Sequence, residues 1–285
     1  MFSVRKKYTF IVSMIAILFI APYASAKALR LEISPKKISQ GDAFFIKVTG
    51  VKASQLPSAS FMRNRLYFGS CGEGCYLAVG AAGIKTKPGV HTIKLKAGKN
   101  KRNLKLSVKK ANFPKLELSL PEDRVMLNPA DLCRAEREND KLEEIFQTVS
   151  DKLWDGSFTS PLENELSTLY GTKRIMNGKW VSVHRGVDIK GQEGEEVRAS
   201  NNGRVALTEE LFFGGNTIIL DHGQGIFTMY MHLSGMKVNI GDIVSKGDVI
   251  GIVGSSGRSS GPHLHFGAKV TNINVNPVSL MKLAL

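Results

Sequence analysis

Val183-His184-Arg185-Gly186-Val187-Asp188-Ile189 and Pro262-His263-Leu264-His265-Phe266-Gly267 are the two stretches on which the reading of this chain turns. Side chains on a strand alternate between two faces. On the first stretch His184, Gly186 and Asp188 then point one way, and Val183, Val187 and Ile189 pack behind them. Gly186 leaves room between the two polar side chains. On the second, His263 and His265 share a face, and Leu264, Phe266 and Ala268 lie opposite. A third stretch, Ile226-Phe227-Thr228-Met229-Tyr230-Met231-His232-Leu233, reads the same way. It predicts Thr228, Tyr230 and His232 on a polar face, with Phe227, Met229, Met231 and Leu233 on an apolar one. Short alternating runs bounded by glycine specify sheet rather than helix.

The same residues carry the chemistry. Five of the six histidines lie in 184–265. Neutral imidazoles and a carboxylate are good zinc ligands, and three protein ligands leave a fourth position for water. Bound zinc brings the pKa of that water down to about 7 and polarises a carbonyl. A lone His-x-His is more often a surface feature than a ligand pair. Three polar faces in one domain, each backed by an apolar set, point instead to a metal site. Facing alone leaves open which of His263 and His265 binds the metal. His222, in Asp221-His222-Gly223 at a strand-end turn, is expected to be structural.

The chain has 285 residues, enough for two ordinary domains and at most three. With 42% hydrophobic and 22% charged residues, intrinsic disorder is excluded as a general description. There are 28 glycines and no heptad run, which favours turn-rich β structure. Three cysteines are too few for a disulfide-built scaffold or a four-cysteine zinc site. Cys71 and Cys75 bracket Gly72-Glu73-Gly74 and are expected to form a disulfide in an oxidising compartment, leaving Cys133 unpaired on a helix.

The compartment follows from residues 1–26. Arg5, Lys6 and Lys7 precede an apolar core from Phe10 to Ala21; Pro22 breaks it, and Ala24-Ser25-Ala26 is a small-x-small cleavage site. This is the layout of a secretory signal peptide. The apolar core is short for a membrane span, so cleavage near Ala26 and an exported, periplasmic or secreted protein without a transmembrane anchor are expected. The formal charge of +14 is unevenly spread. Residues 27–130 carry 20 Lys+Arg against 6 Asp+Glu, 131–155 carry 4 against 8, and 156–285 carry 12 against 11. The basic first segment would attract polyanions. For an exported protein these are anionic envelope polymers or lipid head groups, not nucleic acid.

Residues 27–110 alternate β-prone runs (Leu29–Ile33, Ala43–Val48, Leu66–Phe68, Tyr76–Val79, Val90–Leu95, Leu104–Val108) with turn signals such as Ser34-Pro35 and Ala97-Gly98-Lys99-Asn100. A small β-sandwich-like domain is predicted. It shows no catalytic cluster, and His91 reads as a surface strand residue. Residues 111–157 read as a linker and a helix. Asn128 caps the helix, Pro129 opens it, and Leu142, Ile145, Phe146, Val149 and Leu153 give it an apolar stripe up to Asp155-Gly156. Residues 158–285 form the third unit, in which Gly241–Lys246 and Gly247–Gly251 are two successive turns of a meandering sheet.

His184-x-x-x-Asp188 and His263-x-His265, within Ser259-Ser260-Gly261-Pro262-His263-Leu264-His265-Phe266, resemble the M23 (LytM/lysostaphin-type) zinc peptidases. Asp221-His222-Gly223, Tyr230-Met231-His232-Leu233 and the glycine-rich stretch 241–257 extend the resemblance over about 158–280. It implies a mainly β chain whose C-terminal antiparallel β domain carries a narrow groove. It also implies one zinc ion held by His184, Asp188 and His265, with His232 and His263 as catalytic histidines that orient the water and stabilise the oxyanion. The implied activity is hydrolysis of peptide bonds in peptidoglycan stems or cross-links. A non-catalytic activator of other wall hydrolases is the alternative, and it would predict missing site residues. Gly267 stands where family members often carry an acidic residue.

Overall fold

The computed structural model of the protein describes residues 28–52, 54–119 and 125–285. The expected signal peptide and its cleavage site lie outside the described residues. The chain is mainly β, as its residue patterns predict.

The first described segment folds into two stacked sheets. One has the order β1 (Arg30–Ser34), β3 (Ala43–Thr49), β7 (Cys75–Ala81), β6 (Gly69–Ser70). The other has the order β2 (Lys37–Ser39), β9 (Asn100–Lys109), β8 (Gly89–Ala97), β4 (Ser58–Phe61), β5 (Asn64–Leu66). Phe44, Ile46 and Val48 from the first sheet meet Phe61, Ile93, Leu95 and Leu106 from the second in a closed core. β4 lacks a hydrophobic run: Ser58-Ala59-Ser60-Phe61 became a strand because Ala59 and Phe61 fill that core, a tertiary effect. The predicted run Leu66–Phe68 is displaced, its strand ending at Leu66. Cys71 and Cys75 form a disulfide, and Cys133 is free and exposed.

The β1–β3–β7–β6 sheet buries its second face as well. Ala43, Phe45, Leu77, Val79 and Ala81 pack on Trp154, Phe158, Val270, Leu280 and Leu283 from the C-terminal part of the chain. Backbone and side-chain bonds reinforce the seam: Asn276 N–H donates to Gly41 O at 2.7 Å, and Gln224 Nε2 donates to Tyr67 O at 2.6 Å. The sandwich is therefore joined to the rest by apolar burial, the dominant stabilising term in folding.

The stretch expected as a linker holds a strand. β10 (Lys115–Leu118) forms a three-stranded sheet with β12 (Lys173–Met176) and β13 (Trp180–Val183). Helix α1 spans Pro129–Gln147, with the Asn128 side chain accepting from Asp131 N–H and proline in the first turn. It is shorter than its apolar stripe predicts. Thr148 is extended, and 148–153 runs on against the turn at 221–224: Ser150 Oγ donates to Asp221 Oδ2 at 2.7 Å, and Leu153 N–H donates to His222 O at 2.9 Å. Gly223, at φ +85°, lets that segment approach; a Cβ there would lie 1.9 Å from Asp151 O. Val149 is consequently exposed rather than packed.

The main sheet has ten strands. Its path is β11 (Leu166–Thr168), β14 (Gly186–Lys190), β21 (His263–Val270), β18 (Ile226–Met236), β17 (Gly215–Asp221), β16 (Gly203–Leu211) and β19 (Ile243–Val244). β15 (Glu196–Arg198), β20 (Val249–Val253) and β22 (Ile273–Val275) attach to its sides, and the short helix α2 (Pro277–Met281) follows. On one face Val187, Ile189, Tyr230, Leu264 and Phe266 build the domain core. On the other, Phe146 of α1 packs on Leu207, Ile219, Phe227 and Met229. The end of α1 is tied there by Lys269, whose Nζ lies 3.3 Å from Glu143 and 4.1 Å from the Phe146 ring centroid.

His222 is fully buried; its Nδ1 lies 2.7 Å from Asn202 O and its Nε2 2.7 Å from Thr228 Oγ1. Burial pulls its pKa down to about 4, so it is neutral at pH 7.

Truncating Phe146 tests the docking of α1. Phe146→Ala should cost about 3–5 kcal/mol in denaturant unfolding and expose 128–155 to limited proteolysis. A loss near zero would show that the helix is not anchored by this ring.

Candidate metal centre

The site is set by strand register. β14 and β21 are antiparallel, with Asp188 directly opposite His265, Lys190 opposite His263 and Gly186 opposite Gly267. Directly opposite residues share a face, so Asp188 and His265 meet while Val187 and Phe266 turn into the core. Gly186 clears the space for one of them: a Cβ would lie 2.7 Å from His265 Nε2. At Gly267 the corresponding space is filled by Met229, whose methyl would be 2.6 Å from an added Cβ.

His184 reaches the site by another route than alternation along one strand. It stands at the corner between β13 and β14, where its N–H donates to Thr172 O and its carbonyl accepts from Gly171 N–H. His184 Nε2 lies 2.9 Å from Asp188 Oδ1 and 2.9 Å from His265 Nδ1, and His265 Nδ1 lies 2.8 Å from Asp188 Oδ1. His184 and Asp188 are buried, and His265 is half-buried.

His232 corrects the predicted face. Tyr230 pairs with Phe266 and points into the core, whereas Met231 pairs with His265 and lies on the site face. Strict alternation would turn His232 away from the site. A bulge intervenes: between β17 and β18 the register shifts from Ile218↔Tyr230 to Asn216↔Leu233, and His232 takes a left-handed conformation at φ +67°. This brings the His232 ring to 4.9 Å from that of His263 and 6.1 Å from that of His265. A non-glycine residue in that region is strained and over-determined by its surroundings. Here His232 N–H donates to Gly214 O at 2.7 Å, and its Nδ1 lies 2.9 Å from Ser256 O.

Hydrogen bonds define the tautomers. His184 Nδ1 faces Leu169 O at 3.1 Å, so that nitrogen carries the proton and Nε2 offers its lone pair to the cluster. His232 Nδ1 faces Ser256 O, and His263 Nδ1 faces Gly261 O at 2.8 Å. A carbonyl accepts only, so both rings carry a proton at Nδ1, and in the neutral ring the lone pair is then on Nε2. His263 Nε2 lies 3.8 Å from Asp188 Oδ1, outside the close trio.

Burial depresses the imidazoles of His232, to about 4, and of His265, keeping both neutral. Burial alone would raise the Asp188 carboxyl; the His184 and His265 rings set against it outweigh that and hold the group well below the usual carboxylate range. Neutral imidazoles and an ionised carboxylate are the protonation states a metal requires. The donor atoms lie closer together than the roughly 3.3 Å edge of a tetrahedron with 2.0–2.1 Å bonds, so a small outward shift accommodates an ion. His184, Asp188 and His265 can hold a metal ion, and they form the one such group among the described residues.

Sequence reasoning missed Arg174. Its Nη2 donates to Asp188 Oδ2 at 3.0 Å from strand β12, occupying the oxygen that faces away from the histidines. Asp188 is thereby presented through Oδ1 alone. No spacing rule joins Arg174 to Asp188, because the hairpin of β12 and β13 lies between them. The carbonyls of Leu169, Ser256 and Gly261 were invisible for the same reason: any residue type supplies them.

The model of peptidase family M23 matches residues 182–277, the stretch that contains all five residues. Those residues belong to peptidase family M23. A DD-carboxypeptidase/endopeptidase Mpg of Neisseria meningitidis is 42% identical over 98 residues, which are 34% of this chain and 23% of that protein. The peptidoglycan DD-endopeptidase ShyA of Vibrio cholerae is 38% identical over 104 residues, 36% of this chain and 24% of the relative. The matched stretch thus spans under a quarter of these curated relatives. A Pseudomonas aeruginosa crystal structure ascribed to peptidase M23 superposes with a TM-score of 0.66 at 26% identity, covering 85% of this chain and 94% of the other. The sandwich and the M23 fold therefore occur together in that protein as well.

Arg174 generates a prediction. Arg174→Met should weaken zinc binding by about 10–100-fold, the usual effect of losing a partner that orients a ligand. Competition with a chromophoric chelator reads the affinity, and circular dichroism should show an unchanged fold. Unaltered affinity would remove Arg174 from the support of the site.

Proposed function

We propose that this protein is a zinc-dependent endopeptidase, exported to the cell envelope, that hydrolyses peptide bonds of peptidoglycan stems or cross-links. In this proposal 27–110 is a basic sandwich, 111–157 a linker and helix, and 158–285 the peptidase domain. One observation carries the reading: three donor atoms converge within hydrogen-bond distance, beside two further histidines whose Nδ1 atoms are tied to backbone carbonyls. ShyA is a peptidoglycan DD-endopeptidase by name and Mpg a DD-carboxypeptidase/endopeptidase, which supports the substrate class and makes the DD cross-link the first bond to test.

His184 Nε2, Asp188 Oδ1 and His265 Nδ1 would hold the ion. Zinc supplies an electrophile for the scissile carbonyl and an acidified water. The protein's own groups handle protons and charge. His232 is neutral, and with Nδ1 held by a backbone carbonyl in both His232 and His263 the proton-accepting atom of each ring is Nε2, next to the trio. Either can accept a proton from the attacking water and return it to the leaving amine. Once protonated, or donating from Nε2, the ring stabilises negative charge on the tetrahedral oxyanion. The carbonyls of Ser256 and Gly261 hold the ring orientations, so little reorganisation is needed during the reaction. Helix α1 bounds the groove face, since Phe146 packs on Met229, which lies across from Gly267 of the histidine strand.

The two kinds of histidine should separate on mutation. His184→Ala should lose bound zinc, measured by elemental analysis. His263→Ala should keep zinc and lose turnover by about 10²-fold or more. Turnover is read as muropeptides released from purified sacculi, by mass spectrometry with and without chelator. Full zinc content in His184→Ala, or undiminished release by His263→Ala, would refute the assigned roles.

A further inference from the structure

We infer that the outer face of the β2–β9–β8–β4–β5 sheet is a docking surface for a linear, phosphate-bearing polyanion. Layer order comes first. The β1–β3–β7–β6 sheet buries both faces, one in the sandwich core and one against the M23 domain. The second sheet buries only its inner face, through Ala59, Phe61, Ile93, Leu95 and Leu106. Its outer face is the free one, on the far side of the sandwich from the metal centre. Sheets stack about 10 Å apart, so two layer spacings separate it from the peptidase unit.

What this face presents is uniform in sign. The five strands contain no aspartate or glutamate. Register places Arg65 opposite Ser60, Ser60 opposite Lys94 and Lys94 opposite Asn103, in one row across four strands. The next row sets Ser58 opposite Lys96, and Lys96 directly opposite Lys101. Lys105, opposite Thr92, extends the field. Like charges set directly opposite across a ladder work against folding. Lys94, Lys96, Lys101 and Arg65 are exposed and form no ion pair among the described residues. These cations thus face one another across the ladder without a direct ion-pair partner among the described residues, and a bound polyanion would relieve their repulsion.

The surface is shaped as well as charged. Ser58, Ser60 and Asn103 are short polar residues between the cations, and the strands line an open concavity of about 390 Å³. Lys94 and Lys96 project on the same side, about 7 Å apart along the strand, so a chain bearing repeated charge can engage several ammonium groups at once. Lysine meets phosphate as a point charge, and the hydroxyls and amide between add neutral donors. A membrane surface fits less well. Of the exposed large apolar residues of this region, Leu56 and Met62 lie outside the strands, and Val90 alone stands on the face, one row from the Thr92–Lys105 pair. The inference stands on the sandwich alone and does not require the peptidase reading. Joined to it, the surface would hold the enzyme to an anionic polymer while leaving the metal centre free.

The test uses the full chain from Lys27 and long-chain inorganic polyphosphate, with binding followed by fluorescence anisotropy across a salt series. A triple variant on the face, Lys94→Gln, Lys96→Gln and Lys101→Gln, is compared with one of equal charge elsewhere, Lys85→Gln, Lys87→Gln and Lys115→Gln. The face variant should bind at least about 10-fold more weakly and lose roughly two from the slope of log affinity against log salt; the control should change less than about 2-fold. Equal losses in the two variants would reduce the effect to net charge and overturn the proposal, as would absence of binding by the native chain. Stronger face-dependent binding to phosphatidylglycerol vesicles than to polyphosphate would also overturn it, in favour of a membrane. Because hydrolysis is not measured, failure here leaves the peptidase reading untouched.

Discussion

The register of β14 against β21 is the constraint on which the rest depends. Asp188 faces His265 because their strands pair residue for residue, with Val187 and Phe266 locked into the core behind them. A slip of one residue would put the carboxylate in the core and an isoleucine or valine at the site. The apolar residues that stabilise the sheet therefore also aim the ligands. Stability and site geometry are two consequences of one pairing.

Around that pair the protein adds groups that no single strand could supply. His184 comes from a corner, Arg174 from a separate three-stranded sheet, and His232 from a bulge with a left-handed backbone. Each is fixed by backbone hydrogen bonds or by a buried partner, so the arrangement is held before any ligand arrives. Preorganisation of this kind lets electrostatic stabilisation act without reorganisation during a reaction. The sandwich contributes differently. It shares an apolar seam with the M23 domain, which leaves one of its sheets facing solvent with charged side chains of one sign only.

Much of the candidate site was legible in the sequence, and the limits have a physical origin. His184, Asp188, His263 and His265 declare themselves because their spacing coincides with strand alternation or comes close to it. His232 was expected to share one face with Thr228 and Tyr230; those two turn inward, and only the bulge brings His232 to the site. Arg174 carried no local signal. Helix α1 began where Asn128 and Pro129 placed it, yet stopped early because 148–153 found better partners in the turn at 221–224.

By itself the amino-acid order determined the β character of the chain, the start of helix α1, the uneven distribution of charge and the residue types of the centre. These are local properties, expressed through alternation, capping and composition over a few neighbouring residues. Tertiary structure alone decided which nitrogen of each histidine is free, which carboxylate oxygen faces the trio, and that β10 joins strands sixty residues away. Such choices depend on hydrogen bonds and close contacts between segments distant in the chain, and those exist only once the sheets have paired.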